Sequence, residues 1–244
     1  MKTKALVRFL NRMAHYSADV ELVDVFARSV TKLATTNSQK IFDKVAPDRH
    51  PTLFKRKSSD ASRKLAIAHL KSTIGSAHIK DLYEDVSMYL NDLLAAAIRH
   101  GIDPARLVGE HDVKTDANTL LRLGSWDGVV QYVARSVFRK LEDERSTKAL
   151  LRKMDAKLGL GVDAAIIDAA LPYLDARHVL VHDDGVVDED YVRQYPQLRL
   201  SPGDSLAISH SFVTTARTAI AALVQEVDAK AIARSVVGSH DVQP

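Results

Sequence analysis

The 244-residue chain has no cysteine. That removes disulfides, thiolate nucleophiles and Cys-ligated zinc together. It suits a reducing compartment, and a cytoplasmic location is the expectation. Glycine and proline are sparse, at 10 and 7 residues, and they fall mainly between periodic segments. No apolar run approaches the roughly 18 residues that span a bilayer, so no membrane partner is expected. Met1 to Tyr16 is basic and amphipathic but lacks the long apolar region of a secretory signal, and a first helix accounts for it. The excess of basic over acidic residues, 34 against 31, is too mild to announce nucleic-acid binding. Strand-type alternation is scarce. With 46% hydrophobic residues the chain has enough apolar surface for a packed core, and an all-α fold is predicted.

What is present is helical periodicity. Leu6, Phe9, Leu10 and Met13 share one face, and Val20, Val23, Phe26, Ala27, Val30 and Leu33 share another. A third short helix is predicted over Asn37 to Val45, stopped by Pro47. Arg49 to Lys71 is basic, with Lys55-Arg56-Lys57 at its centre. Such a cluster can hold a nucleic-acid backbone by displacing counterions, or it can be a solvated linker into a helix over Ala61 to Lys71. Gly75-Ser76 reads as a boundary, with Ser76 as N-cap of a long helix to His100. These signals divide the chain into a helical N-terminal region, 1–74, and a helical bundle, 75–244.

Ser125 is placed as the cap of a helix carrying Trp126, Val129, Val130, Val133, Val137 and Leu141. Ser146 or Thr147 starts the next, which Gly159 and Gly161 end. Asp163 caps a segment whose buried side is predicted to be Ile166, Ile167, Ala170, Leu171, Leu174, His178 and Val181. Pro172 inside it predicts a kink or restart, because proline cannot donate to the Asp168 carbonyl. Leu206-Ala207-Ile208 reads as a short extended piece, and the last helix as about Ser209 to Arg234, with a frayed tail after Val237.

The densest chemistry lies in Arg177-His178-Val179-Leu180-Val181-His182-Asp183-Asp184-Gly185. His178 and His182 are four apart and can share a helical face. They lack the glutamate that a zinc protease places directly after its first histidine, and Asp183, Asp184 or Asp188 would have to complete any metal site. Arg177 and His182, five apart, point roughly 140° away from each other on an ideal helix. A guanidinium holds phosphate oxygens and stabilises growing negative charge, and an imidazole moves a proton near neutral pH. RNA cleavage needs both functions and no metal. Equally, His178 can be a core histidine, with Arg177 and His182 paired to Asp175, Asp183 or Asp184. Gly159-Leu160-Gly161 lacks the third glycine and the preceding strand of a nucleotide-binding turn.

Arg177, His178 and His182, followed by Asp183-Asp184-Gly185-Val186-Val187-Asp188, resemble the HEPN superfamily, whose hallmark is an arginine, a polar residue, a few mostly apolar residues and a histidine. The resemblance covers roughly Ser76 to Arg234. It implies an antiparallel helical bundle and a metal-independent endoribonuclease without cofactor. It also implies a homodimer in which two copies of the helix line one cleft, acting in toxin–antitoxin, abortive-infection or antiviral systems beside an antitoxin or regulatory protein. In those terms Arg177 holds the scissile phosphate, His182 is the general base or acid, and His178 orients the pair or contacts RNA. The family's extra acidic residue on the first bundle helix falls on Glu84, with Asp85 in reserve. Lys55, Arg56 and Lys57 would extend the RNA track. The alternative is a non-catalytic RNA-binding or protein-interaction member.

Overall fold

The computed structural model describes residues 1–32, 44–56, 59–108, 115–144 and 146–243. Among these the fold is all-α, with ten α-helices and one two-stranded ribbon. The helices are α1 (Lys4–Lys32), α2 (Pro51–Arg56), α3 (Asp60–Arg99), α4 (Pro104–Val108), α5 (Ala117–Arg122), α6 (Trp126–Glu142), α7 (Thr147–Leu158), α8 (Ala164–His182), α9 (Glu189–Gln194) and α10 (His210–Ala233). Most of the expected third helix, Asn37 to Val45, lies outside the described residues.

Side-chain chemistry sets the helix starts. Ser125, Ser146, Asp163 and Ser209 each accept a backbone N–H from the first turn of the helix they precede, which satisfies one of four otherwise orphaned donors.

Two expected breaks are absent. The N-terminal apolar segments form one 29-residue helix. The 40-residue α3 starts at the cap Ser59 and passes through Gly75-Ser76 without interruption, so Ser76 is no N-cap and the division at residue 74 falls inside a helix. Gly75 serves a close approach instead. A Cβ there would lie 2.6 Å from Ile208 Cγ2, so only glycine admits the segment leading into α10. That approach outweighs the roughly 1 kcal/mol that glycine costs in a helix interior.

α3 is the axis of the bundle. α1 lies antiparallel to it, as Arg8–Asp92 at 2.7 Å, Arg12–Asp85 at 2.5 Å and Lys71–Asp24 at 2.8 Å show. α10 runs parallel to α3, with Val213 beside Gly75 and Asp228 at Tyr89. α8 returns antiparallel to α10, its Tyr173 ring 5.2 Å from Phe212. One core unites Phe9 of α1 with Ile79, Leu82, Leu93 and Leu94 of α3, Leu141 of α6, Met154 of α7, Leu174 of α8 and Ile220 of α10. Each such side chain contributes about 1.5–3 kcal/mol on burial. The first helix is therefore part of the bundle. A small satellite cluster of Ala27, Val45 and Ile67 packs with Leu53 of α2.

The tail is also more ordered than its composition predicts. Val242–Gln243 pair antiparallel with Lys2–Thr3, and Asp241 accepts from Arg99 at 3.0 Å.

His78 sits under α1 at 2% exposure, its ring 5.9 Å from Tyr16, and neither ring nitrogen has a hydrogen-bond partner. Burial, then the Arg217 charge, push its pKa down from 6.5 to about 4 against the opposing pull of Asp19. A base with a depressed folded pKa stabilises the fold fully above its unfolded pKa, and that contribution is lost as pH falls toward the folded value. Between pH 6.5 and 4 the wild type is expected to lose about 1–3 kcal/mol more stability than His78→Leu. Urea unfolding of both proteins across that range measures it, and parallel pH profiles would contradict it.

Candidate functional site

α8 runs unbroken through Pro172, so the expected restart is absent. The Pro172 carbonyl accepts from the Tyr191 hydroxyl at 2.7 Å, and the Asp175 carboxylate accepts from the Tyr195 hydroxyl. The two tyrosine rings meet edge to face at 5.0 Å. Burial pushes both hydroxyls far above the usual phenol range, with Asp175 adding to the effect. These aromatics fasten α9 and the segment after it onto α8.

The helix closes by local backbone chemistry. Asp184 and Gly185 adopt φ of 51° and 78°, and the Gly185 N–H turns back to the Val179 carbonyl at 2.9 Å. Gly185 is the residue that makes this left-handed closure inexpensive. The chain then pairs across residues 203–206, with Leu206 N–H to Gly185 O at 2.7 Å and Val187 N–H to Asp204 O at 2.9 Å. The extended piece expected at Leu206 to Ile208 begins in this pairing. The last turn of α8 is thus held from both sides.

On that turn the side chains diverge. Arg177 faces α3. Its guanidinium lies 5.1 Å over the Tyr83 ring, and its Nη2 stands 3.5 Å from Glu84 Oε1. His178 and His182 point outward, both exposed, with ring centroids 4.8 Å apart. His178 Nε2 is 3.9 Å from Asp183 Oδ2. The predicted buried face therefore needs correction. Ile167, Ala170, Leu171 and Leu174 are buried, but His178 and Val181 are exposed, and Ala176 and Val179 take the inner positions. Pro172 and the returning segment give α8 a second covered face, which a single 3.6-residue stripe does not anticipate. His178 is accordingly no core histidine. Arg177 is paired to Glu84, and Asp175 is engaged by Tyr195.

Of the two acidic candidates on α3, Glu84 meets Arg177. Asp85 is buried against Arg12 of α1, its carboxyl raised by burial with Arg12 opposing. A third carboxylate, not evident in the sequence, joins the group. Glu142 at the end of α6 is pushed up by burial and by the facing Glu84, with a hydrogen bond from Ser87 and the Arg177 charge pulling the other way. Burial, then Glu142, likewise raise the Tyr83 hydroxyl. Glu142 stands on a helix distant in sequence from both partners, and no spacing rule links them.

A cleft of about 390 Å³ opens beside this cluster. Arg177 and His178 line it, but so do Glu142, Glu144, Asp175, Asp183, Asp188 and Asp190, and His182 lies outside it. Within one chain the cleft therefore favours cations over phosphates. The described residues bring no three His, Asp or Glu side chains together as metal ligands.

The basic segment is elsewhere. Lys55 is exposed on α2, and the helix rise puts Ile67, against which α2 packs, roughly 25 Å from Glu84. Arg56 ends α2, and Lys57 lies outside the described residues. Among the described residues no helix is long and apolar enough to cross a membrane. In comparisons with known proteins, no family model, no curated protein and no solved structure matches the chain.

Proposed function

We propose that the chain is a metal-independent endoribonuclease of the HEPN type, working as a homodimer in a toxin–antitoxin, abortive-infection or antiviral setting. The observation that carries this reading is the divergence of Arg177 from His182 at the exposed end of α8, where Arg177 lines the cleft and His182 lies outside it. Arg177 and His182 are the right pair for phosphate chemistry and the wrong pair for one helix. A second copy of α8, related by a two-fold axis, supplies the missing partner to each.

In the resulting site, Arg177 of one protomer binds the scissile phosphate and stabilises its extra negative charge. His182 of the other takes the proton from the ribose 2′-OH or delivers one to the departing 5′-oxygen. His178, its ring 4.8 Å from that of His182 and tilted 42° to it, orients it. Tyr83 and Glu84 hold the guanidinium from behind. No cofactor is needed for this division of labour. RNA cleavage in EDTA, compared among wild type, Arg177→Ala and His182→Ala, tests it.

A second reading has its own support. Six carboxylates around the cleft repel a polyanion, which favours a non-catalytic member whose α8 end docks a cationic segment of a protein partner. Such a protein would bind its partner, turn over no RNA, and lose the interaction when the cleft acids are neutralised.

A further inference from the structure

The Gly159-Leu160-Gly161 turn acquires a role from what surrounds it. Both glycines are left-handed, with φ of 65° and 72°. The Arg106 guanidinium lies directly against Gly159, where a Cβ would come within 1.9 Å of Nη2. Arg234, just past the end of α10, reaches the Gly161 side, its Nη2 3.9 Å from where a Cβ would be. Both arginines, with His100, line one open cleft of about 400 Å³.

The charge balance of this cleft is opposite to that of the first. Asp103 is its one acidic lining residue, and that carboxylate already accepts from the Ala105 N–H at 3.0 Å. Among the described residues no carboxylate pairs with Arg106 or Arg234. α4 is fixed in place by Lys157, whose Nζ donates to the Leu107 carbonyl at 2.7 Å, so Arg106 is presented from an anchored turn. Three helices, α3, α7 and α10, end around the cleft, and their free carbonyls carry partial negative charge. Arg106 answers one of them, Ala156 O at 3.5 Å. A guanidinium has five N–H donors in a planar fork, so Arg106 keeps donors beyond the one given to Ala156, and Arg234 lines the same cleft.

We propose that this cleft is a phosphate-binding site, with Arg106 and Arg234 clamping the anion over the Gly159–Gly161 turn and His100 at its edge. The ligand is a phosphoester, either a free nucleotide or one phosphate of an RNA strand. The site does not depend on the ribonuclease reading. The rise of α3 separates His100 from Glu84 by roughly 24 Å, so the two clefts cannot share one phosphate.

The test titrates the full chain with inorganic phosphate, a nucleoside monophosphate and a short single-stranded RNA at low ionic strength, read by calorimetry. Wild type is expected to bind at least one probe, and Arg106→Gln and Arg234→Gln are each expected to weaken binding about tenfold or more. Arg→Lys at either position should retain part of it, because charge persists while the fork is lost. Circular dichroism shows whether each variant is folded, and Arg234, exposed beyond a helix end, gives a variant that does not depend on packing. Binding of phosphate and nucleotide identifies a free phosphoester as ligand, whereas binding of RNA alone identifies a strand. A wild type that binds none of the three, or folded glutamine variants that bind like wild type, would overturn the site.

Discussion

Replacing Arg177 with alanine is expected to slow RNA cleavage by about 10²–10³-fold, the usual loss when one donor to a developing oxyanion is removed. Replacing His182 should cost about 10²–10⁴-fold, the range for a positioned acid or base. Both losses should appear in EDTA. Neither change should unfold the protein. The Arg177 side chain lies over the Tyr83 ring and pairs with Glu84, itself 60% exposed, and exposed contacts of either kind contribute at most about 1 kcal/mol each. His182 is exposed at the helix end. A thermal midpoint within about 2 °C of wild type, beside a large activity loss, separates a chemical role from a structural one. Two variants that cleave at the wild-type rate would remove both residues from the mechanism. Activity abolished by EDTA would replace it with metal chemistry.

The largest expected effect on stability lies elsewhere. Asp228 on α10 is 1% exposed. It accepts the Thr3 N–H at 3.0 Å, the Thr3 hydroxyl, and the Tyr89 hydroxyl at 3.1 Å. Thr3 in turn caps α1 by accepting the Leu6 N–H at 3.0 Å. One carboxylate thus ties the terminal ribbon, the start of α1 and the middle of α3 to α10. Burial and the adjacent carboxylate push the Tyr89 hydroxyl well above the phenol range, so tyrosine remains the donor. Asp228→Ala leaves three donors buried without an acceptor. It is expected to cost about 3–5 kcal/mol, or about 10 °C in thermal midpoint. Asp228→Asn keeps one acceptor oxygen and should lose less. A midpoint within 2 °C of wild type for Asp228→Ala would contradict the role.

Local rules carried much of the fold. Caps at Ser125, Ser146 and Asp163 and the glycine stop after α7 follow from side-chain chemistry within a few residues, and the sequence shows them. What failed was long-range. Gly75 read as a boundary because a glycine inside a helix is normally a cost, and only the contact with Ile208 explains it. His178 read as a core position because the stripe on α8 points that way. Two tyrosines arriving from later in the chain cover a different face. Glu84 was singled out as an acidic residue on α3, but its pairing with Arg177 joins two helices distant in sequence, and no spacing along the chain gives it. Glu142 and Glu144 reach the cleft from the end of α6 and the turn after it, Asp175, Asp183, Asp188 and Asp190 from α8 and the segment after it, and no pattern along the chain joins the two groups.

The sharpest question is whether Arg177 and His182 act across two chains. Mixing Arg177→Ala with His182→Ala under conditions that exchange subunits gives heterodimers in which one composite site keeps both residues. Two inactive proteins should then recover about a quarter of wild-type RNA cleavage, since half the dimers are mixed and each holds one intact site of two. Mixtures as inactive as their components, from a wild type that does cleave RNA, would contradict a site shared between two copies of α8.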